Sequence, residues 1–171
     1  IDEFTETGIR LASGETLDAD IIVTATGFNL SVMGDIPFAV DGRPVDWSGT
    51  VTYHGIMFTG VPNLAYIFGY FRASWTLRVD LITDLVCRLF EHMGERGATT
   101  VTPVLRDGEA DMPLRPWMDP DDFNPGYLMR SIEKVPRQGD RLPWRGADLG
   151  YLEEREILPA ADFEDGTLSF K

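Results

Sequence analysis

Two stretches of this sequence end an apolar run with residues that let a ligand approach the backbone. The run at residues 21–24 leads into Ala25-Thr26-Gly27, and the run at residues 64–68 leads into Gly69. Glycine accepts a positive φ and leaves room beside the backbone. Ligands of open α/β sheets bind beyond the carboxyl ends of the strands. The two strand ends are therefore predicted to line one cofactor crevice, with ordinary α/β packing as the alternative.

A helix that begins shortly after Gly69 adds hydrogen-bond donors to this crevice. Apolar residues recur at steps of three and four along residues 74–93, and Ser74 is a suitable N-cap. The first N–H groups of a helix have no acceptor inside the helix and favour negative charge. The backbone N–H groups of Ser74, Trp75 and Thr76 are therefore predicted to point at the ligand.

Short strands and helices are predicted to position this crevice. The turn signal Ser13-Gly14 predicts a hairpin of residues 8–11 and 15–17, ahead of a buried strand at residues 21–24. Residues 29–50 predict an irregular excursion with a loose hairpin. The later elements are an apolar segment (51–58), a buried strand (64–68), strands at 99–105 and 167–170, a short helix after Pro125-Gly126, and a helix over 148–158 with Leu149, Leu152 and Ile157 inward.

The overall composition is that of a soluble globular protein of 171 residues with a net charge of −13. That charge disfavours nucleic acid and anionic membrane surfaces as partners, because both require a basic footprint. No apolar run is long enough to span a bilayer. The single cysteine, Cys87, excludes an intrachain disulfide and a cysteine-cluster metal site, and it fits a reducing cytoplasmic location. Cys87 is predicted to be a small buried hydrophobe beside the helix stripe.

Structural roles are predicted for both histidines, for two of the tryptophans and for the clustered carboxylates. His54 is predicted to be a satisfied core histidine, and His92 to gain from the dipole at a helix C-terminus. Trp117 and Trp144 are predicted to pack proline-rich loops, with a substrate or partner contact as the alternative. The acidic residues at 18–20 and 119–122 are predicted to be solvated, and no Ser/His/Asp arrangement or metal-ligand spacing occurs.

Several segments resemble class B flavoprotein monooxygenases, the family of flavin-containing and Baeyer–Villiger monooxygenases. Asp20-Ile-Ile-Val-Thr-Ala-Thr-Gly-Phe28 resembles the segment where those chains return from the NADP domain to the FAD domain. A later strand of that family is similar to Val61-Pro-Asn-Leu-Ala-Tyr-Ile-Phe-Gly69. The loop and helix that lie against the flavin ring in that family are similar to Tyr70-Phe-Arg-Ala-Ser-Trp-Thr-Leu-Arg-Val-Asp-Leu81. Tyr127-Leu-Met-Arg-Ser-Ile-Glu-Lys-Val-Pro-Arg-Gln-Gly139 resembles one branch, the mycobacterial ethionamide-activating type.

The resemblance implies an α/β fold, or α+β for an isolated fragment. The chain would be the C-terminal part of a flavoprotein with two dinucleotide-binding domains, without the N-terminal Rossmann βαβ unit. Residues 1–24 would be a hairpin and strand returning from the NADP domain. Residues 25–98 would be the C-terminal part of the FAD-binding domain, and residues 99–171 an extension packed on it. The whole enzyme would use FAD and NADPH to form a flavin peroxide that inserts oxygen into ketones or oxygenates sulfur or nitrogen.

Position and resemblance together assign the candidate site residues. The residues expected to contact FAD are Ala25, Thr26, Gly27, Gly69, Ser74, Trp75 and Thr76. Those expected on the substrate side are Tyr70, Phe71 and Trp75. Arg72 and Arg78 lie near the expected flavin, but neither receives a catalytic role.

Parts of the family pattern do not occur in this sequence. There is no Gly-x-Gly-x-x-Gly turn, no Phe-x-Gly-x-x-x-His-x-x-x-Trp fingerprint and no counterpart of the catalytic arginine of the NADP domain. We therefore expect the C-terminal portion of a longer enzyme, inactive alone, with the missing N-terminal half and a small-molecule substrate as partners. The alternatives are a fragment of a flavin reductase and a free-standing acidic binding module without catalytic activity.

Overall fold

The computed structural model describes residues 1–71, 73–146 and 148–171, which form three helices and short strands. Within those residues the strands are β1 (Glu3–Thr5), β2 (Gly8–Arg10), β3 (Thr16–Asp18), β4 (Ala39–Val40), β5 (Arg43–Pro44), β6 (Thr52–Tyr53), β7 (Met57–Phe58), β8 (Val101–Pro103), β9 (Arg115–Pro116), β10 (Arg137–Gln138) and β11 (Leu168–Phe170). The helices are α1 (Trp75–Arg96), α2 (Gly126–Met129) and α3 (Tyr151–Ile157). The predicted mixture of helices and strands is confirmed.

The strands pair antiparallel in small sheets. β1, β2 and β3 form one sheet, in which Ile9 lies opposite both Phe4 and Leu17. The other sheets pair β4 with β5, β6 with β7, β9 with β10, and β8 with β11. The hairpin predicted around Ser13-Gly14, the loose hairpin around Asp41-Gly42 and the strands within residues 99–105 and 167–170 are confirmed.

Helix α1 is the longest element, and its inner face follows the predicted period. Ile82, Leu85, Leu89 and Met93 are buried at steps of three and four. The helix runs past Gly94 and ends at Gly97, whose φ of 63° closes it in the left-handed conformation. The predicted helix is confirmed and extends to Arg96.

The assignment of Cys87 as a buried hydrophobe is wrong, because Cys87 is exposed. Trp75, an apolar residue at the start of the same helix, is also 52% exposed. Cys87 is two residues from both Leu85 and Leu89, and each residue turns a helix by about 100°. Its side chain therefore points away from the face that those two leucines bury.

The buried strands predicted at residues 21–24 and 64–68 do not form. Ile21 and Val23 are each 83% exposed. A strand covered on both faces requires neighbouring strands, and no described strand pairs with this run. Residues 64–68 form no regular element but alternate in burial: Tyr66 packs inward, whereas Ile67 is 50% exposed. Its backbone is attached to the fold by a hydrogen bond from Tyr66 N to Ile56 O at 2.7 Å and by one from Arg78 Nη1 to Phe68 O at 2.8 Å.

The main hydrophobic core joins distant parts of the chain. It contains the β6–β7 hairpin, the inner face of α1, β8, β11 and Trp144. Trp144 is fully buried, and its indole Nε1 donates to Glu109 Oε2 at 2.9 Å. The predicted packing role of Trp144 is confirmed. None of the described helices is long and apolar enough to cross a bilayer.

The tip of the β6–β7 hairpin lies directly against Gly146. A Cβ atom placed on Gly146 would stand closer than 3.0 Å to backbone atoms of His54 and Gly55. Backbone cannot move aside as a flexible side chain can, so the contact requires a glycine here.

We predict that Gly146→Ala lowers the free energy of unfolding by about 3 kcal/mol, because the added methyl group overpacks this contact. Gly94→Ala is the matched control, since nothing lies within 4 Å of its Cβ position and alanine favours the helix interior. Gly94→Ala should therefore be neutral or stabilising by up to about 1 kcal/mol. Urea denaturation of both variants checks this, and equal effects would contradict the proposed contact.

Candidate cofactor site

An ion pair between α1 and α3 lies fully buried behind the start of α1. The side chains of Arg78 and Glu154 are each 1% exposed. Arg78 Nε donates to Glu154 Oε2 at 2.8 Å, and Arg78 Nη2 donates to Glu154 Oε1 at 2.7 Å. This two-pronged geometry matches the planar guanidinium to both carboxylate oxygens. It fixes the distance and orientation between the two helices.

Arg78 also holds two backbone segments that approach the site. Its Nη1 donates to Phe68 O at 2.8 Å, and its Nη2 donates to His54 O at 2.9 Å. Phe68 is the last residue before Gly69, and His54 is at the tip of the β6–β7 hairpin. One side chain therefore connects the segment before Gly69, the hairpin and both helices.

Tyr70 completes this buried network. Its hydroxyl donates to Glu154 Oε2 at 2.6 Å, and the Arg78 guanidinium lies 5.8 Å from the centre of its ring. Burial, followed by the bond to Glu154, raises the pKa of Tyr70 above its ordinary value. The hydroxyl therefore stays protonated and anchors the loop after Gly69. A substrate-side role for Tyr70 remains a prediction.

The N-terminus of α1 is open to solvent. Ser74, Trp75 and Thr76 are exposed, and the Ser74 hydroxyl lies 2.8 Å from Thr76 Oγ1 instead of capping the helix. The first turn carries no acidic side chain. Its backbone N–H groups are thus available to an acceptor with partial negative charge.

Aromatic rings surround this helix start. A Cβ atom on Gly69 would stand closer than 3.0 Å to the Trp75 ring, so the missing side chain leaves the space that Trp75 occupies. The Phe68 ring centre lies 4.8 Å from that of Trp75 and 5.1 Å from that of Phe71. The Phe71 ring centre also lies 5.1 Å from that of Phe123, with the two rings tilted by 34°. The structure therefore brings together Gly69, Phe71 and the residues that begin α1.

The segment Ala25-Thr26-Gly27 is exposed and joins this group indirectly. Gly27 has a φ of 93°, a conformation that suits glycine. Just beyond it, Phe28 O accepts from Arg130 Nη2 at 2.9 Å. Leu30 then packs in the same aromatic cluster as Phe71. Among the described residues, no hydrogen bond or ring contact directly joins Ala25-Thr26-Gly27 to the start of α1.

Sequence patterns did not reveal the ion pair. Glu154 faces inward, whereas Leu152, predicted inward, is 70% exposed. The available signal was spacing: Arg78 precedes Ile82 by four residues, and Glu154 precedes Leu158 by four. Residues four apart lie on the same helix face, so this spacing places both charges on inward faces but does not pair them with each other. Arg72, also placed near the expected flavin, lies outside the described residues.

His54 is buried beside this network. Desolvation lowers the pKa of its imidazole to about 4, with Arg78 adding to the effect and Asp165 opposing it. The prediction of a core histidine is confirmed, but its Nδ1 has no hydrogen-bond partner among the described atoms, so it is not fully satisfied. His92 Nε2 lies 3.0 Å from Glu164 Oε1. No metal-ligating cluster occurs in the described part of the chain.

Comparison with known proteins identifies relatives over nearly the whole chain. The "FAD-containing monooxygenase EthA" of Mycobacterium tuberculosis H37Rv is 45% identical over 170 residues, which are 99% of this chain and 34% of that protein. EthA of Mycolicibacterium smegmatis is 48% identical over 92% of this chain and 31% of its own length. The "Probable FAD-binding monooxygenase AlmA" of Acinetobacter baylyi is 41% identical over 99% of this chain and 33% of its own length.

These relatives confirm the resemblance predicted from the motifs. The chain spans about a third of the length of the curated relatives it matches. No protein-family model matches it, and no solved structure matches it.

We predict that Glu154→Gln lowers the free energy of unfolding by about 3 kcal/mol, because it leaves the Arg78 charge buried without a carboxylate. Glu156→Gln is the matched control: it removes an exposed carboxylate from the same helix, which pairs with Arg155 at the surface. It should cost less than about 0.5 kcal/mol. Chemical denaturation measures both, and a similar small loss for Glu154→Gln would refute the structural role of the pair.

The buried imidazole predicts a pH dependence of stability. The pKa of His54 is about 4 when folded and ordinary, 6.5, when unfolded. Its contribution is complete above pH 6.5 and is lost as the pH falls toward 4, since the unfolded chain then binds the extra proton. Between pH 7.5 and pH 5.0 the loss is about 2 kcal/mol.

Urea denaturation at both pH values measures the free energy of unfolding. In His54→Gln, the loss of that free energy between pH 7.5 and pH 5.0 should be smaller by this amount. Tyr53→Phe is the control, because burial raises the pKa of Tyr53 and keeps it neutral throughout this range. If His54→Gln retains the full pH dependence, another group is responsible.

Proposed function

Because this chain is a relative of FAD-containing monooxygenases over 99% of its own length and about a third of theirs, we propose that it forms the C-terminal part of such an enzyme. The whole protein would use FAD and NADPH to oxygenate a small-molecule substrate, a ketone or a compound with a reactive sulfur or nitrogen. Residues 25–98 belong to its FAD domain, residues 1–24 return from the NADP domain, and residues 99–171 are an extension packed on the FAD domain.

The open N-terminus of α1 is the observation that carries this proposal. FAD presents carbonyl oxygens at one edge of its ring system, and these acceptors match the free N–H groups at Ser74, Trp75 and Thr76. Gly69 and the half-exposed Trp75 ring supply a flat aromatic neighbour beside them. The described residues therefore fit the ring edge of the cofactor.

The chain does not fit the whole cofactor. A diphosphate needs a glycine-rich turn, and no Gly-x-Gly-x-x-Gly sequence occurs here. The phosphates and the NADPH must therefore be bound by another part of the protein. When bound, FAD supplies the oxygen activation, while this chain orients the ring and excludes water from one side of it.

The buried ion pair has a positioning role in this proposal. Arg78 is on the first turns of α1 and bonds to the carbonyl of Phe68, so it holds the helix start and the segment before Gly69 in register. Tyr70 fixes the loop between them through Glu154. Because these N–H donors are already held in place, no free energy is lost in rearranging them when the cofactor binds.

The exposed apolar run at residues 21–23 supports a missing partner. Ile21 and Val23 are almost fully accessible, although β-branched apolar residues favour a strand inside a sheet. We assign this run to a sheet completed by the N-terminal half of the same protein. That assignment disfavours a free-standing binding module, which would leave these side chains in water.

We predict that Thr76→Trp, made in the longer flavin-loaded protein, weakens FAD retention at least about tenfold, because a bulky ring would cover the N–H groups at the helix start. The ratio of flavin to protein absorbance and a flavin titration measure this. Thr83→Trp is the matched control. Thr83 is an exposed threonine that lies two turns after Thr76 on the same solvent-facing side of the helix.

Unchanged flavin occupancy and turnover in Thr76→Trp would contradict the cofactor assignment. A protein that binds FAD and oxidises NADPH but never oxygenates a substrate would instead favour the flavin reductase.

A further inference from the structure

A surface cleft lies between the tip of the β6–β7 hairpin and the end of α3. Its volume is about 370 Å³, within the range of roughly 300–1,000 Å³ that is usual for small-molecule sites. The hairpin contributes Tyr53 and His54, a loop contributes Leu142 and Pro143, and the remaining lining lies within residues 156–165. None of the residues assigned to FAD or to the substrate belongs to this lining.

His54 brings an unused hydrogen-bonding atom to this cleft. The residue is only 5% exposed. Its Nδ1 is enclosed without a partner, whereas its Nε2 makes no hydrogen bond with the described residues but is not enclosed. Because His54 lines the cleft, Nε2 is the ring nitrogen that a ligand can reach there. Buried polar side chains ordinarily have hydrogen-bond partners, so this unpaired imidazole points to a ligand.

The hairpin turn does not explain why a histidine stands at this position. His54 and Gly55 have φ values of 51° and 67°, a conformation that glycine and asparagine adopt most readily. The N–H of His54 donates to Pro143 O at 2.6 Å, and its carbonyl accepts from Arg78 Nη2 at 2.9 Å, so neither bond uses the ring. The Tyr53 ring packs edge-on against the imidazole, with centres 4.6 Å apart. The imidazole is therefore held in place without a role in the turn.

The charge of the cleft selects a cationic ligand. Its charged lining residues are all acidic: Glu156, Asp162 and Asp165. Arg106 Nη1 lies 3.3 Å from Asp165 Oδ2 and balances part of that charge. Asp162 accepts the backbone N–H of Glu164 at 2.8 Å and has no ion-pair partner in the described part of the chain. An anion would be repelled here, and the net charge of −13 adds to that repulsion.

An organic cation fits the cleft better than a metal ion. Within residues 1–71, 73–146 and 148–171, no group of side chains is arranged to hold a metal. Leu142 and Ile157 add apolar walls beside the carboxylates. Burial lowers the pKa of the His54 imidazole to about 4, so the ring is neutral and has a lone pair to offer. Apolar walls, a neutral acceptor and carboxylates together match an ammonium group on a hydrocarbon body.

We propose that this cleft binds a small organic compound with a primary ammonium group, which donates to His54 Nε2 while Asp162 and Asp165 balance its charge. The hydrocarbon part of the compound lies on Leu142 and Ile157. The proposal goes beyond the proposed function, because it uses none of the residues assigned to FAD or to the substrate.

Isothermal titration calorimetry of the longer protein without NADPH, where no turnover occurs, tests this binding. The probe is 2-phenylethylamine, with 2-phenylethanol as the neutral control and 3-phenylpropanoate as the anionic control. We expect saturable binding of one amine per chain, at least about tenfold tighter than the alcohol, because only the ammonium group forms charge-assisted hydrogen bonds. The carboxylate should not bind. The titration does not require flavin, so a protein purified without flavin is tested in the same way.

Asp162→Asn locates the charge that attracts the amine. It should weaken binding about 3- to 5-fold, because an exposed carboxylate adds a modest attraction. Asp119→Asn is the matched control, since Asp119 is exposed and lies outside the lining of the cleft. Its Oδ1 accepts the N–H of Asp121 at 2.9 Å, as Asp162 Oδ1 does from Glu164. The control removes the same charge and should leave the affinity unchanged.

His54→Asn removes Nε2 and keeps the turn, because asparagine has a shorter side chain and tolerates a positive φ. It should weaken binding about tenfold, since a hydrogen bond to a charged group is lost. Far-ultraviolet circular dichroism verifies that the variant is folded. If it is not folded, Asp162→Asn at the surface still decides the proposal.

Three outcomes would overturn the proposal. Equal affinities for the amine and the alcohol would show that the cleft recognises only the hydrocarbon part. Amine binding that is unchanged in Asp162→Asn and in folded His54→Asn would place the ligand elsewhere on the protein. An equal loss in Asp119→Asn and Asp162→Asn would show attraction by the net charge only.

Discussion

The buried pair of Arg78 and Glu154 is the interaction on which the rest of this structure depends. An arginine at 1% exposure is tolerable only when all of its donors find acceptors. Here the acceptors are the Glu154 carboxylate and the backbone carbonyls of Phe68 and His54. Such a pair adds little net stability compared with apolar packing, but it penalises every arrangement in which one partner is displaced. It therefore specifies how four separate segments meet.

The position of the pair explains why the candidate site can be ordered at a surface. The main core lies on one side, with Ile82 and Leu85 facing it from α1. A separate aromatic cluster around Trp117 contains Phe68 and Phe71. The loop that leads into α1 runs between these two packed regions and is anchored by Tyr70. The open helix N-terminus is thus held from behind, while its N–H groups remain accessible.

The sequence predicted the elements whose signals are local. The period of α1 and the hairpin around Ser13-Gly14 follow from neighbouring residues alone, and both are present. The ion pair joins residues 76 positions apart, so no local pattern contains it. Counting apolar residues also misplaced Leu152, because the inward position on α3 belongs to a paired charge. Motif resemblance found the family and drew attention to Gly69 and Ser74, but it could not show how they are held.

The failure of the strand at residues 21–24 has a physical explanation that bears on function. Its β-branched residues favour a buried strand, yet Ile21 and Val23 lie exposed. A strand gains stability from its neighbours rather than from its own sequence, so an apolar run without them remains irregular. The same holds for residues 64–68, where Ile67 faces solvent and no described strand pairs with the run. Both runs lead directly into the glycines assigned to the cofactor. If the chain functions as proposed, neighbouring strands would bury two apolar surfaces and complete the crevice in one step, and cofactor binding would then be coupled to assembly of the longer protein.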